Sequence, residues 1–170
     1  MAKTTRKICY TALMMAITFI MITIIRIPIP KGYIHFGDAA VFLSAYILGP
    51  GYGIVAAGIG ASAADYFSGF SIYVIPTFIA KSVMVVIAGN LLKGNTTRKK
   101  QLATMAAASI IMAFIYYIAE CLIYGNILSP IVDIPFNLLQ AAVGIVIAIL
   151  LFNPLAPFRF ENLPVSKGDD

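Results

Sequence analysis

Asp38, Asp65, Lys81 and Glu120 stand inside or at the ends of apolar runs, where lipid would penalise a charge. Ionisable side chains in such places usually face a cavity, a partner group or a conduction path. The amides Asn137 and Gln140, the only histidine, His35, and the tyrosines Tyr33, Tyr73 and Tyr124 lie close to the same run ends. This set is equipped to hydrogen-bond and to pair charges. It is poorly equipped to break bonds: no HExxH or GxSxG motif occurs, and a lone histidine gives little basis for acid–base catalysis. Gly89-Asn-Leu-Leu-Lys-Gly lacks the Gly-Lys-Ser/Thr ending of a Walker A loop, so ATP chemistry belongs elsewhere. The expectation is no catalytic residue and no metal site.

Aromatic residues accompany the polar set. Tyr33, Phe36, Tyr66, Phe67, Phe70, Tyr73, Phe78 and Tyr124 crowd the same run ends, where rings can stack on a flat ligand while amides and charges hold its edge. An interfacial aromatic belt accounts for some of them. Equally, Lys81 could pair with Glu120 or Asp65 and simply tie helices together.

The elements that must position these residues are membrane spans. The chain of 170 residues is 61% hydrophobic and 11% charged, more apolar than a soluble domain can bury. At about 20 apolar residues per span, the chain has room for five or six helices and almost nothing else. The composition and breakers predict one all-α membrane domain with six transmembrane helices, over 8–27, 37–48, 52–66, 73–92, 102–124 and 135–152, followed by a polar tail over 154–170. Arg26-Ile-Pro-Ile-Pro-Lys-Gly ends the first helix, and Gly49-Pro-Gly-Tyr-Gly is a tight turn between the second and third. In the third helix Gly53, Ala57 and Ala61 form one small-residue row and Ala56, Gly60 and Ala64 another, which places it centrally among close neighbours. Ala12 and Ala16 form a small-residue face on the first helix. Cys9 and Cys121 lie in apolar segments without metal or disulfide spacing.

Basic residues orient the bundle. Lys3, Arg6, Lys7, Lys93, Arg98, Lys99, Lys100, Arg159 and Lys167 fall in segments that six spans put on one side, while Arg26 and Lys31 fall on the other. The positive-inside rule then makes both termini cytoplasmic, in the cell membrane. The net charge of +5 is explained by these orientation blocks and not by nucleic-acid binding. With this topology the polar residues gather in the outer half: Lys81, eight residues into its helix, lies about 12 Å below the outer surface of a core about 30 Å thick. A continuous pore would need polar groups in both halves. The pattern favours a cup open to the outside.

These residues carry a family resemblance. His35-Phe-Gly-Asp38 opening the second helix, Leu48-Gly-Pro-x-x-Gly53, Ala64-Asp65 closing the third, Pro76 and Lys81 in the fourth, and Pro135-x-Asn137-x-x-Gln140-x-x-x-Gly144 in the sixth resemble the substrate-binding S components of energy-coupling factor (ECF) vitamin transporters. Ala12-x-x-x-Ala16 is similar to that family's small-residue motif. The resemblance spans about Ile8 to Asn153. It implies a six-helix subunit that binds a water-soluble vitamin or precursor from outside and docks through Ala12 and Ala16 onto a transmembrane coupling subunit. Two partner ATPase subunits would spend the ATP, leaving no cofactor in this chain, and residues 27–35 would form a lid. The candidate ligand-binding residues are Tyr33, His35, Asp38, Asp65, Tyr73, Lys81, Glu120, Tyr124, Asn137 and Gln140. The chain lacks the tryptophan that some relatives stack on their ligand. Modest aromatic bulk beside charged and amide groups leans toward a pyridine or pyrimidine, of the vitamin B6 or hydroxymethylpyrimidine type, with riboflavin open. The competing readings are a self-contained carrier or channel and a structural scaffold subunit.

Overall fold

A computed structural model describes residues 3–24, 26–29, 32–94 and 96–160. Those residues are almost wholly helical: α1 (Lys3–Thr23), α2 (Gly37–Ile54), a π-helical segment (Val55–Ile59) continuing into α3 (Gly60–Phe67), α4 (Val74–Leu91), α5 (Arg98–Tyr124) and α6 (Ile134–Leu155). Among them five helical stretches are long and apolar enough to cross a membrane, with 37–67 counted as one. That stretch is not straight. Gly49 leaves helical geometry at φ 72° and ψ −176°, a backbone conformation that costs glycine little. A Cβ on Gly53 would come 3.1 Å from the carbonyl oxygen of Ser44. Nine residues of continuous helix would hold those positions about 13 Å apart along the axis, so the chain doubles back at Gly49. The turn expected over Gly49 to Gly53 therefore shrinks to one residue, and helical geometry resumes at Pro50, where a missing N–H costs least.

Every residue of the first arm, 37–48, is buried. It packs against α1, α4 and α6. At about 18 Å this arm is too short to cross a bilayer by itself, and its neighbours shelter it from lipid. The small residues foreseen on the third helix do face close neighbours: Ala56, Ala57, Ala61 and Ala64 have no exposed surface. The π segment inserts one extra residue per turn and thereby shifts the register, so that Gly58 meets Phe78 and Ser82 of α4 while Gly60 meets the backbone of α1 at Met15.

Three departures from the sequence reading concern element ends. The first helix stops at Thr23 rather than residue 27, and Arg26–Ile29 (β1) pairs antiparallel with Gly32–His35 (β2), with Pro28 opposite Tyr33. The loop over 27–35 is thus a two-stranded ribbon. Proline is tolerated because a lone pair of strands is all edge. Helix 5 begins at Arg98, earlier than expected, because Thr97 caps it by accepting from the Lys100 N–H. It ends on Gly125 in the left-handed conformation. Helix 6 runs through Pro154 to Leu155, past the expected end at residue 152, and most of the expected tail lies outside the described residues.

The bundle has two unlike ends. At one, Arg159 donates to the carbonyls of Gly94 (2.8 Å) and Leu92 (3.1 Å), its guanidinium lying over Tyr46, which stacks on Phe152 with ring centres 4.2 Å apart. Lys7 sits over the rings of Tyr52 and Phe160 at the same end. The hairpin closes the other end. Close packing at Gly60 yields a test: Gly60→Ala would place a Cβ 2.7 Å from the Met15 carbonyl oxygen, and the substitution should lower stability in detergent by about 1–3 kcal/mol. Gly51→Ala, where a Cβ meets nothing within 4 Å, should leave thermal unfolding unchanged or raise its midpoint.

Candidate functional site

Polar residues approach the hairpin end on three ladders, each stepping by about one helical turn. Tyr73, Thr77 and Lys81 descend from the mouth on α4 and the short 3-10 turn before it. Tyr124, Glu120, Tyr116 and Met112 descend on α5. Asp133, Asn137 and Gln140 descend on α6 and the 3-10 turn Ser129–Asp133 that precedes it. That turn is held by Asn126, whose side chain accepts from the N–H groups of Leu128 (2.8 Å) and Ser129 (3.1 Å). At the end of α3 the Gly69 N–H donates to the Tyr66 carbonyl and the Phe70 N–H to the Asp65 carbonyl, a Schellman closure with Gly69 at φ 85°. It fixes Phe70 beside Asp65.

The ladders converge on a cavity under the hairpin. From the hairpin Ile29, Tyr33 and His35 line it, from the end of α3 Asp65 and Phe70, from α4 and its leading turn Tyr73 and Thr77, from α5 Tyr116 and Glu120, and from the α6 side Asp133, Asn137 and Gln140. Seven of the ten foreseen ligand-binding residues meet there: Tyr33, His35, Asp65, Tyr73, Glu120, Asn137 and Gln140. Tyr124 stands just outside, with its hydroxyl 2.8 Å from that of Tyr73.

Asp38 and Lys81 do not line the cavity. Both are completely buried, and Lys81 Nζ lies 2.5 Å from Asp38 Oδ1. Neither Asp65 nor Glu120 is the partner of Lys81. Asp65 accepts instead from the Tyr33 hydroxyl at 2.7 Å, and Tyr73 reaches Glu120 at 3.5 Å. The Asp38–Lys81 pair is a floor: Met112 Sδ accepts from Lys81 at 3.2 Å, the Tyr116 ring centre is 5.5 Å from Nζ, and Gln140 Nε2 donates to Asp38 Oδ2 at 3.1 Å. Placement in the first turn of α2 further favours the Asp38 carboxylate, since helix N-termini carry partial positive charge.

Gln140 also joins floor to roof. Its Oε1 accepts from the His35 backbone N–H at 3.2 Å while Nε2 holds Asp38. His35 Nδ1 accepts from the Gly37 N–H at 3.1 Å, which puts the ring proton on Nε2. Burial, aided by the nearby Lys81 charge, pushes the imidazole down to about 4 against the attraction of Asp38, so His35 is neutral at neutral pH. Tyr33 is pushed up, chiefly by burial and then by Asp65, and keeps its proton for that hydrogen bond. The hairpin is thus clasped to α3 by a hydroxyl and to α6 by an amide.

Thr77 and Tyr116 were not foreseen as lining residues. Their hydroxyls lie 2.9 Å apart, one turn above Lys81 on α4 and one turn below Glu120 on α5. Extending the four-residue spacing from Lys81 and Glu120 would have found both. Asp133, likewise outside the foreseen set, is buried at the cavity wall. The volume of this cavity is about 60 Å³. A larger hollow of about 540 Å³ between α3 and α4 is lined by exposed Ile59, Tyr66, Phe67, Ile75 and Phe78. Its surface is apolar, and the Ser62 hydroxyl on its wall is spent on the Val74 carbonyl. That hollow has the character of lipid-facing surface.

Residues 2–157 match the model of the ECF-type riboflavin transporter S component family. The chain belongs to that family. An uncharacterized protein in the gap 3′ region of Pyrococcus woesei is 32% identical over 126 residues, covering 73% of this chain and 84% of its own. Among solved structures, one reported under "Structure and mechanism of the S component of a bacterial ECF transporter" matches with a TM-score of 0.70 at 24% identity, over 91% of this chain and 98% of that one. That likeness supports the fold. This S component is accordingly a membrane protein of a transporter family and not of an enzyme family, as the residues led one to expect.

The buried pair makes a sharp test of the floor. Lys81→Met leaves the Asp38 carboxylate buried without its cation and should cost about 3–5 kcal/mol. Adding Asp38→Asn should recover much of that loss. Thermal unfolding of the two variants in detergent checks it, and equal destabilisation by the single and double variants would contradict it.

Proposed function

We propose that this S component is the substrate-binding subunit of an ECF transporter, taking a small water-soluble vitamin from outside the cell. It works with a transmembrane coupling subunit and two ATPase subunits that spend the ATP. The observation that carries the proposal is a polar, aromatic-walled cavity at one end of the bundle only, under a hairpin, in a chain of this family. In this reading the bundle has six transmembrane segments, the second being the short arm 37–48 that its neighbours shelter within the membrane, and both termini are cytoplasmic. Arg6, Lys7, Lys93, Arg98, Lys99, Lys100 and Arg159 lie at the end away from the cavity, as the positive-inside rule asks of a cytoplasmic end.

Riboflavin is the first candidate ligand, because the family description names it. Pyridine and pyrimidine vitamins come next, since a single ring asks least of so narrow a space. Pockets that take drug-sized molecules run to about 300–1,000 Å³. A vitamin therefore enters only if the hairpin lifts, and the contacts to break are those of Tyr33 with Asp65 and of His35 with Gln140. Ala12 and Ala16 are exposed on α1, available to the close helix approach that small residues permit. This is the proposed docking face.

Transport assays separate docking from capture. Uptake of riboflavin into cells expressing this chain should require the coupling subunit and ATPases. Ala12→Trp should abolish that uptake and leave ligand affinity unchanged. Uptake without the partners would favour a self-contained carrier, and equal loss of uptake and affinity in Ala12→Trp would refute the docking face.

A further inference from the structure

The first turn of α5 holds Arg98, Lys99 and Lys100 and no acid. A helix N-terminus carries partial positive charge, so cations in that turn oppose the helix dipole unless an anion stands beside them. Lys93, just past the end of α4, brings a fourth cation to the same connection. The four side chains are not equivalent. Arg98 turns onto the bundle and donates to the Ile149 carbonyl of α6 at 2.6 Å and to the Gln101 side chain at 3.3 Å. Lys93, Lys99 and Lys100 are exposed. On the same face of α5 as Lys99 come Leu102, Ala103, Ala106 and Ile110, all exposed, at helical spacings that align them along the axis. On a helix apolar enough to cross a membrane, an exposed apolar face meets acyl chains, and a lysine at its end extends to the headgroups.

The place of this patch in the bundle says which partner it meets. α1 packs against α2, the π segment and α3, while α2 packs against α4 and α6, and α5 packs beyond them against the same two helices. α1 and α5 therefore lie on opposite sides. A coupling subunit seated on Ala12 and Ala16, the docking face proposed above, leaves the lysines facing lipid. The rival anion is the chain's own tail, since residues 161–170 carry Glu161, Asp169 and Asp170 against Lys167. We propose that Lys93, Lys99 and Lys100 bind the headgroup of an anionic phospholipid of the phosphatidylglycerol class, in the leaflet at the end away from the cavity. The phosphate supplies the anion that the first turn of α5 lacks, and the acyl chains lie on Leu102, Ala103, Ala106 and Ile110. Such a lipid holds the bundle on the side remote from α1 and leaves the docking face open. Lipid capture here needs no vitamin; only its persistence in the assembled transporter rests on the proposed docking face.

Lipid retention tests this. The full chain, immobilised in nonionic detergent, is equilibrated with an equimolar mixture of phosphatidylglycerol and phosphatidylcholine of matched acyl chains, washed, and its retained lipids quantified by mass spectrometry. At low ionic strength phosphatidylglycerol should be retained about tenfold over phosphatidylcholine. A wash at about 1 M salt, where the Debye length is about 3 Å, should remove most of that excess. The triple variant Lys93→Gln, Lys99→Gln, Lys100→Gln should retain the two lipids alike, whereas Lys3→Gln, Arg6→Gln, Lys7→Gln, which removes as many cations from α1, should keep most of the preference. Equal retention by the unaltered chain would overturn the proposal and point to the tail as the partner of the lysines; that answer does not depend on any variant folding. Equal loss of preference in both triple variants would reduce it to net charge and overturn the assignment to this patch. The variant at Lys93, Lys99 and Lys100 should still co-purify with the coupling subunit. Loss of co-purification with the lipid preference intact would make the patch a protein contact and overturn the lipid assignment.

Discussion

The architecture of the binding end depends on one ion pair. Asp38 and Lys81 are charged groups without access to water, and an isolated charge in such a place would be prohibitively costly. Each is therefore tolerated only because the other is held against it, with Gln140, Met112 and the Tyr116 ring completing the surroundings. This requirement fixes three helices at once. Asp38 can reach Lys81 only if the arm 37–48 packs directly on α4, and Gln140 can reach Asp38 only if α6 packs on the same arm. Gly144 permits the latter, since a Cβ there would fall 2.7 Å from the Asp38 Cβ. The small residue and the ion pair are two sides of one packing arrangement.

From that floor the rest of the site follows upward. Gln140 passes the constraint on to His35, and through it to the hairpin. Tyr33 returns it to α3 through Asp65. The space above the floor is consequently walled by polar groups that already have geometry imposed on them, which lowers the entropic cost of binding a ligand. The opposite end is built otherwise: Arg159, Tyr46 and Phe152 fill it with stacked rings and capped carbonyls. A subunit of this construction is suited to capture from one side.

Much of this was legible in the residues. The ends of the apolar runs located the helices, and the positions of Asp65, Tyr73, Glu120, Asn137 and Gln140 along them placed these groups at one end, because helical rise converts sequence position into depth. The partner of Lys81 was not legible. Rise gives depth but not rotation about the bundle, and Asp38, Asp65 and Glu120 all lie on neighbouring elements. The hairpin was also hidden: Pro28 and Pro30 mark a break without saying that the break is a paired ribbon. Thr77 and Tyr116 were overlooked, although their spacing from Lys81 and Glu120 marks them. The doubling back at Gly49 was visible as a turn, but only the packing of Gly53 on Ser44 shows how abrupt it is.

The central claim is that the cavity under the hairpin holds a vitamin. Titration of riboflavin into the isolated protein, followed by the fluorescence of the flavin itself, tests it most directly. The account predicts saturable binding of one flavin per chain, weakened when Asn137, a cavity-wall amide remote from the floor contacts, is replaced by alanine. If neither riboflavin nor any pyridine or pyrimidine vitamin binds the folded protein saturably, the account is contradicted.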